Sequence, residues 1–135
     1  MNEQNKKSNI TDELDRATKS LESAELLSQK GYYNDAVSRL YYALFHRLKA
    51  LLLSKGLEPK THEGALILFS QHFVKPGIFD TSDSHIVSRL MKYREEADYS
   101  PSYMFKEKDY REFSLDVEKL SSKMHSYLKN KGYFD

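Results

Sequence analysis

The chain has 135 residues, of which 39% are apolar and 30% charged, a composition typical of a folded domain with one core rather than of a disordered chain. Its 21 basic and 20 acidic residues give a net charge of +1, which excludes a global attraction to nucleic acid or anionic lipid and requires any such site to be local. The absence of cysteine excludes disulfides, thiolate zinc sites and thiol catalysis. With a polar N-terminal segment and no apolar run near the ~18 residues of a membrane span, we expect a cytoplasmic protein that does not enter a membrane.

Apolar residues recur at helical spacing along almost the whole chain, without the alternation of a half-buried strand, which predicts an all-α fold. The first helix is predicted to begin at Thr11, a good N-cap, and to end at Gly31. The second helix is predicted from about Asn34 to Lys55, where Gly56 follows to end it. Its predicted core stripe consists of Val37, Leu40, Tyr41, Leu44, Leu48 and Leu51.

Two more long helices and a short one follow. The short helix is predicted to be capped by Thr61 and to end at the turn of residues 75–77. The third long helix starts near Asp83 or Ser84 and ends before Pro101, since the residue preceding a proline disfavours helix. The last helix has a core stripe of Phe113, Val117, Leu120, Met124, Tyr127 and Leu128. The sequence thus predicts an up-and-down bundle of four long helices plus one short helix over residues 11–130, between a disordered or frayed tail (1–10) and a C-terminal tail (131–135).

One face of the second helix is polar and aromatic. Asp35, Arg39, Tyr42 and His46 follow one another at spacings of four, three and four residues, which places them together opposite the core stripe. The C-terminal half of this helix is apolar nearly all round and includes Leu53 on the polar side, as in a helix that is covered on both sides. This pattern predicts an interface with a second copy or a partner, and the alternative is a solvated face with incidental aromatic residues.

One interpretation of Lys60, Thr61 and His62 is a phosphate-binding site, because backbone N–H groups at the start of a helix favour anions. The alternative is that these residues only cap the helix. The five histidines are too scattered for a metal-binding pattern, and the five glycines are dispersed at element ends rather than gathered in a phosphate loop. We therefore expect neither a metal nor a cofactor.

Four sequence blocks, NDAVSRLYYALFHRLKALLLSKG, KTHEG, HFVKPGIFD and YREEADY, cover most of residues 34–99. In this order they resemble a HEPN-domain protein of the small UPF0332-like group. The resemblance implies a four- or five-helix bundle, a homodimer, and a gene beside a minimal nucleotidyltransferase in a toxin–antitoxin or defence module. Many proteins of this family are metal-independent ribonucleases whose site resembles an arginine followed, after four to six residues, by a histidine at the end of the third long helix, with two copies facing each other.

The chain departs from that pattern after Arg94, because the positions at which the histidine would fall are tyrosine, serine and proline. Alignment on the Asp-Tyr pair at 98–99 instead places the histidine position at Ala97 and the arginine position at Lys92. Tyrosine, with an unperturbed pKa of about 10, is a poor substitute for a base that must deprotonate a ribose hydroxyl. Arg94 and Arg89 are therefore predicted to bind phosphate without cutting, and the alternative is that Arg94 only pairs with Glu95, Glu96 or Asp98.

Three functions follow from these patterns and the resemblance. The first is a dimeric interaction module that partners a minimal nucleotidyltransferase and has no catalytic activity by itself. The second is a ribonuclease that uses Arg94 with a histidine from elsewhere, either His46 or His62. The third is a subunit that presents a nucleotide or RNA to a transferase, and here Tyr99 resembles an acceptor hydroxyl. The residues predicted to contact a ligand or partner are Arg39, Tyr42, His46, Lys60, Thr61, His62, Arg89, Arg94, Asp98 and Tyr99.

Overall fold

The structure is a computed structural model that describes residues 2–100 and 104–134, and over these ranges it contains helices and no strand. The five α-helices are α1 (Glu3–Gln29), α2 (Tyr33–Leu53), α3 (His62–Phe69), α4 (Thr81–Tyr99) and α5 (Glu107–Asn130). A π-helical turn, Ser70–Val74, continues α3. The predicted all-α class, with four long helices and one short helix, is confirmed. None of the described helices combines the length and the apolar character that crossing a membrane requires.

Helix α2 is the centre of the bundle, and α1, α3, α4 and α5 all pack against it. Its entire predicted stripe is buried, as are Leu52 and Leu53 near its end. Leu57 and Leu66 pack at the edge of the same core, while Phe69 and Phe73 from α3 and the π-helical turn are fully enclosed. The core of the protein is therefore assembled around α2. Only the α2 side chains that lie outside this core are available for a functional site.

Helix α1 begins eight residues earlier than predicted. The Asn2 side chain accepts a hydrogen bond from the Asn5 backbone N–H at 2.8 Å and thereby caps the helix, whereas the Thr11 hydroxyl donates to the Lys7 carbonyl inside it. Ile10 is only 1% exposed. The predicted tail over residues 1–10 is therefore wrong for residues 3–10, because a good cap at Asn2 and a core position at Ile10 extend the helix in the N-terminal direction.

The longer α1 also corrects the interpretation of Leu53. Leu53 is buried by its own chain, and it lines a cavity together with Asn9, Asp12 and Glu13 of α1. Next to it, the Ser54 carbonyl accepts a bond from the Tyr133 hydroxyl at 3.3 Å, so the C-terminal segment also folds back on this end of α2. The apolar surroundings of Leu53 thus do not require a second molecule.

The other predicted boundaries lie close to those observed. The Thr61 hydroxyl caps α3 by accepting from the Gly64 backbone N–H at 2.8 Å, as predicted. Helix α4 starts a few residues before the predicted position because Asp80 and Asp83 form a capping box there. It ends at Tyr99, and Ser100 is extended, as expected for a residue before proline. Residues 101–103 of the sequence lie outside the described ranges.

Candidate functional site

Aromatic and basic side chains from α2, α3 and α4 meet beside the C-terminal end of α4. We call Tyr41, Tyr42, Phe45, His62 and Arg94 the Arg94 cluster. The carbon at the centre of the Arg94 guanidinium lies 5.3 Å from the ring centroid of Tyr41 and 5.8 Å from that of Tyr42. These distances are within the range of cation–π attraction, which is strengthened by burial, and the Arg94 side chain is only 11% exposed. Helix α2 therefore provides an aromatic platform for a largely buried cation.

His62 completes the cluster because the Thr61 cap places it as the first residue of α3, against α2. Its ring stacks on Phe45, with 4.1 Å between centroids and 6° between planes. Its Nδ1 lies 2.6 Å from the Tyr41 hydroxyl oxygen. When Nδ1 carries the proton, it donates to that oxygen and leaves Nε2 as an acceptor. The cluster thus holds a histidine beside an arginine, although the two are far apart in the sequence.

The electrostatics of the cluster favour neutral side chains around Arg94. Burial lowers the pKa of His62 below its usual value, and the positive charges of Arg94 and Lys49 lower it further. Burial likewise raises the pKa of the Tyr41 hydroxyl, an effect that Arg94 only partly opposes. At neutral pH the imidazole is therefore uncharged and able to accept a proton, while the Tyr41 phenol stays protonated.

Two polar atoms at this end of α4 lack partners. Within the described residues, the Arg94 Nε and the Glu96 Oε2 are buried and form no hydrogen bond. The only ion pair of Arg94 within those ranges joins its Nη1 to the Asp98 Oδ2 at a long 3.7 Å. Buried polar groups are normally satisfied, so these two atoms are exceptions to the usual pattern. An open cavity of about 610 Å³ adjoins them and is lined by Lys92, Arg94, Glu95, Glu96, Tyr99 and Ser100; we call it the α4 cavity.

His46 lies next to the cluster and is held by Glu13 of α1. Its Nδ1 is 2.8 Å from the Glu13 Oε2, and Glu13 is only 5% exposed although it also contacts Arg16 at 2.8 Å and Lys49 at 3.4 Å. Glu13 was not among the predicted site residues, because an acidic residue so soon after the predicted cap at Thr11 is typical of the first turn of a helix. The available signal was its position three residues after Ile10 and four before Ala17, in the buried stripe of α1.

Comparison with known proteins identifies the family. The model of the HEPN domain matches residues 10–127. The chain belongs to the HEPN domain family. Two Methanocaldococcus jannaschii proteins named "Putative toxin" are similar to this HEPN chain: one is 36% identical over 89% of the chain and 78% of the relative, the other 40% identical over 62% and 63%. A Thermotoga maritima protein named "UPF0332 protein" is 36% identical over 76% of the chain and 78% of the relative, which confirms the resemblance to that group.

The HEPN fold brings together some of the predicted site residues. Tyr42, His46, His62 and Arg94 converge, and Arg39 lies over the Tyr42 ring at 4.7 Å. Asp98 joins them by accepting a bond from the Ser38 hydroxyl at 3.5 Å while it pairs with Arg94. The alternative that Arg94 pairs with an acid near the helix end is therefore observed, and it involves Asp98.

Other predicted residues lie outside this convergence. Arg89 bonds to Asp116 of α5 at 3.2 Å rather than joining Arg94. The Thr61 hydroxyl is used in capping, which is the alternative to its phosphate role, and Lys60 is exposed. Tyr99 is 76% exposed at the rim of the α4 cavity. Ala97, the second position considered for a histidine, is half-buried against the core and does not line that cavity. Within the described ranges, no group of three His, Asp or Glu side chains can hold a metal ion.

Proposed function

We propose that this HEPN chain is the binding module of a cytoplasmic toxin–antitoxin pair and that it docks on a minimal nucleotidyltransferase through the Arg94 cluster and the α4 cavity. The observation that carries the proposal is the buried Arg94 Nε, which has no hydrogen-bond partner among the described residues, in a side chain that lines an open cavity. A carboxylate or phosphate of the partner would satisfy its free N–H and accept a charge-assisted hydrogen bond. The names of the two M. jannaschii relatives support the toxin–antitoxin setting.

Binding to a purified minimal nucleotidyltransferase tests the proposal. Isothermal titration should give a measurable Kd for the wild type and a weakening of about tenfold or more for Arg94→Ala, because hydrogen bonds to charged groups contribute about 1.5–3 kcal/mol. The matched control is Arg89→Ala on the same helix, whose guanidinium already pairs with Asp116. Equal affinities for wild type and Arg94→Ala would exclude the cluster as the docking site.

The proposal includes a homodimer in which the α2 face of Arg39 and Tyr42, with Tyr99 of α4, lies at or beside a two-fold interface. Its support is the exposure of large apolar side chains at this end of the bundle, where Tyr99 is 76% and Met104 80% exposed. Sedimentation of the purified chain should give a dimer that Arg39→Glu weakens. A monomer at tens of micromolar that this change leaves unaltered would contradict the interface.

A second candidate function, a metal-independent ribonuclease, is favoured by the approach of His62 and Arg94 to the same tyrosine, Tyr41. In that reaction His62 would accept the proton of the ribose 2′-OH, and Arg94 would stabilise the negative charge that develops on the phosphate. We favour docking over this chemistry because the positions at which the family pattern would place its histidine after Arg94 carry tyrosine, serine and proline.

Incubation with a mixed RNA pool in chelator distinguishes the two functions. We expect no appreciable cleavage by the isolated chain, because the histidine that the family pattern places after Arg94 is absent, and losing a positioned general base typically lowers the rate ~10²–10⁴-fold. Robust cleavage that is abolished by both Arg94→Ala and His62→Ala, and retained by Arg89→Ala, would make the chain a ribonuclease. His46→Ala then separates the two candidate histidines, since His46 is held by Glu13 outside the Arg94 cluster.

A further inference from the structure

Another cavity, of about 660 Å³, lies between α1 and α5 with α2 behind it, and it shares no lining residue with the α4 cavity. Its polar lining consists of Arg47 of α2, Glu25 of α1, and Ser114, Glu118, Ser121, Ser122, His125 and Ser126 of α5. Ser114, Glu118, Ser121 and His125 follow one another at three- or four-residue spacing, so they form one stripe along that helix. Its volume lies within the ~300–1,000 Å³ of ordinary small-molecule sites. We call it the Arg47 cavity.

Arg47 is the most informative side chain of this cavity because it is half-buried and unpaired. Within residues 2–100 and 104–134 it forms no ion pair and no hydrogen bond, in contrast to Arg16, Arg89, Arg94 and Arg111. Burial lowers the pKa of its guanidinium, and no neighbouring acid counteracts the effect. A cation that loses hydration without gaining a counter-charge is unfavourable, and the anionic end of a ligand would remove that cost.

The remaining charges show that a simple anion does not fit. The lining carries one positive charge, on Arg47, and two negative charges, on the exposed Glu25 and Glu118, so the charges of these three residues sum to a net negative value. Neither carboxylate lies within 4 Å of the Arg47 guanidinium, since neither forms an ion pair with it in the described structure. A phosphate dianion would be attracted at the base of the cavity and repelled at its rim. A ligand with an anionic end and a cationic end would be attracted at both.

We propose that the Arg47 cavity binds a zwitterionic small molecule of the amino-acid class, with the ligand carboxylate on Arg47 and its ammonium groups on Glu25 and Glu118. A guanidinium can bind a carboxylate through two parallel hydrogen bonds, and the Ser114 and Ser121 hydroxyls line the same space as further donors. A basic amino acid, with one carboxylate and two ammonium groups, balances the three charges of the lining. The site is independent of the proposed docking function at α4.

The test uses the full chain and three probes: L-lysine, cadaverine and inorganic phosphate. Cadaverine keeps both ammonium groups of lysine but lacks the carboxylate, and phosphate supplies an anion without a cationic end. Isothermal titration and thermal unfolding should show binding of L-lysine with a raised unfolding midpoint. Cadaverine should bind about tenfold or more weakly than lysine, since it cannot form the charged hydrogen bonds to Arg47, and phosphate should not stabilise the chain.

Variants assign the binding to this cavity. Arg47→Gln should abolish lysine binding, and Glu118→Gln, which alters an exposed residue and leaves the fold intact, should weaken it about tenfold. The matched control is Arg111→Gln, on an exposed arginine of α5 that pairs with Glu107, and it should bind lysine like the wild type. The proposal is overturned if lysine fails to bind at millimolar concentration, if phosphate binds through Arg47 in its place, or if Glu118→Gln leaves the affinity for lysine unchanged.

Discussion

Replacement of Ile10 by alanine decides whether the N-terminal segment belongs to the fold. Ile10 is 1% exposed and lies in the core cluster, so Ile10→Ala removes three buried carbon groups. At ~0.8 kcal/mol per buried methylene, the transfer loss alone is about 2.4 kcal/mol, and the cavity left behind moves the expected destabilisation into the upper part of the ~2–5 kcal/mol typical of such changes. The better helix propensity of alanine offsets only a few tenths of a kcal/mol.

Urea unfolding followed by circular dichroism measures this loss. With a slope of about 2 kcal/mol per molar urea, Ile10→Ala should lower the midpoint by roughly 1–2.5 M. Leu26→Ala is the matched control, because it removes the same number of carbons from the same helix at a position that is 64% exposed. It should change the free energy of unfolding by less than ~0.5 kcal/mol. Equal, small effects of the two changes would show that residues 3–10 do not pack on the core and would refute the assignment of α1.

Three further predictions concern the core and the site. Leu44→Ala, at the buried centre of α2, should destabilise by about 2–5 kcal/mol in the same assay, and an effect under ~0.5 kcal/mol would place Leu44 on the surface. Since burial keeps the pKa of folded His62 below the ~6.5 of the unfolded chain, the unfolded chain binds more protons between the two values. The free energy of unfolding should therefore fall as the pH drops below about 6.5, and His62→Gln should flatten this dependence in urea titrations across pH 5–8. Glu13→Gln, which removes the charge that holds His46, should lower the free energy of unfolding by about 1–3 kcal/mol in the same assay, and an effect under ~0.5 kcal/mol would contradict the pairing.

Local sequence patterns were sufficient to predict the core stripes. Every residue of the predicted α2 stripe is buried, because helical periodicity alone determines which side of a central helix is apolar. The Thr61 cap was predicted for the same reason, since the interaction spans only three residues. The start of α1 was predicted at the wrong residue because Thr11 followed by acids is as good a local signal as Asn2, and only the packing of Ile10 distinguishes them.

The composition of the site could be predicted only in part. Arg94, His46 and His62 were recognised as candidates, but their partners depend on contacts between distant helices. Tyr41 and His62 are 21 residues apart in the sequence, and Glu13 and His46 are 33 apart. The periodicity of apolar residues along one helix carries no information about such contacts between helices. The stripe position of Glu13 indicated burial, and a buried acid requires a positive partner, but the identity of that partner followed only from the packing of α1 on α2.

The half-buried position of Ala97 limits how this chain could change over evolutionary time. A codon change to histidine at that position would direct an imidazole at the core rather than into the α4 cavity, and overpacking of this kind typically costs about 1–3 kcal/mol. Introducing a histidine at this residue would therefore need compensating changes in the neighbouring helices. A proton-transfer site at α3 would need fewer compensating substitutions, because the His62 imidazole there already contacts Tyr41, the tyrosine on which Arg94 lies.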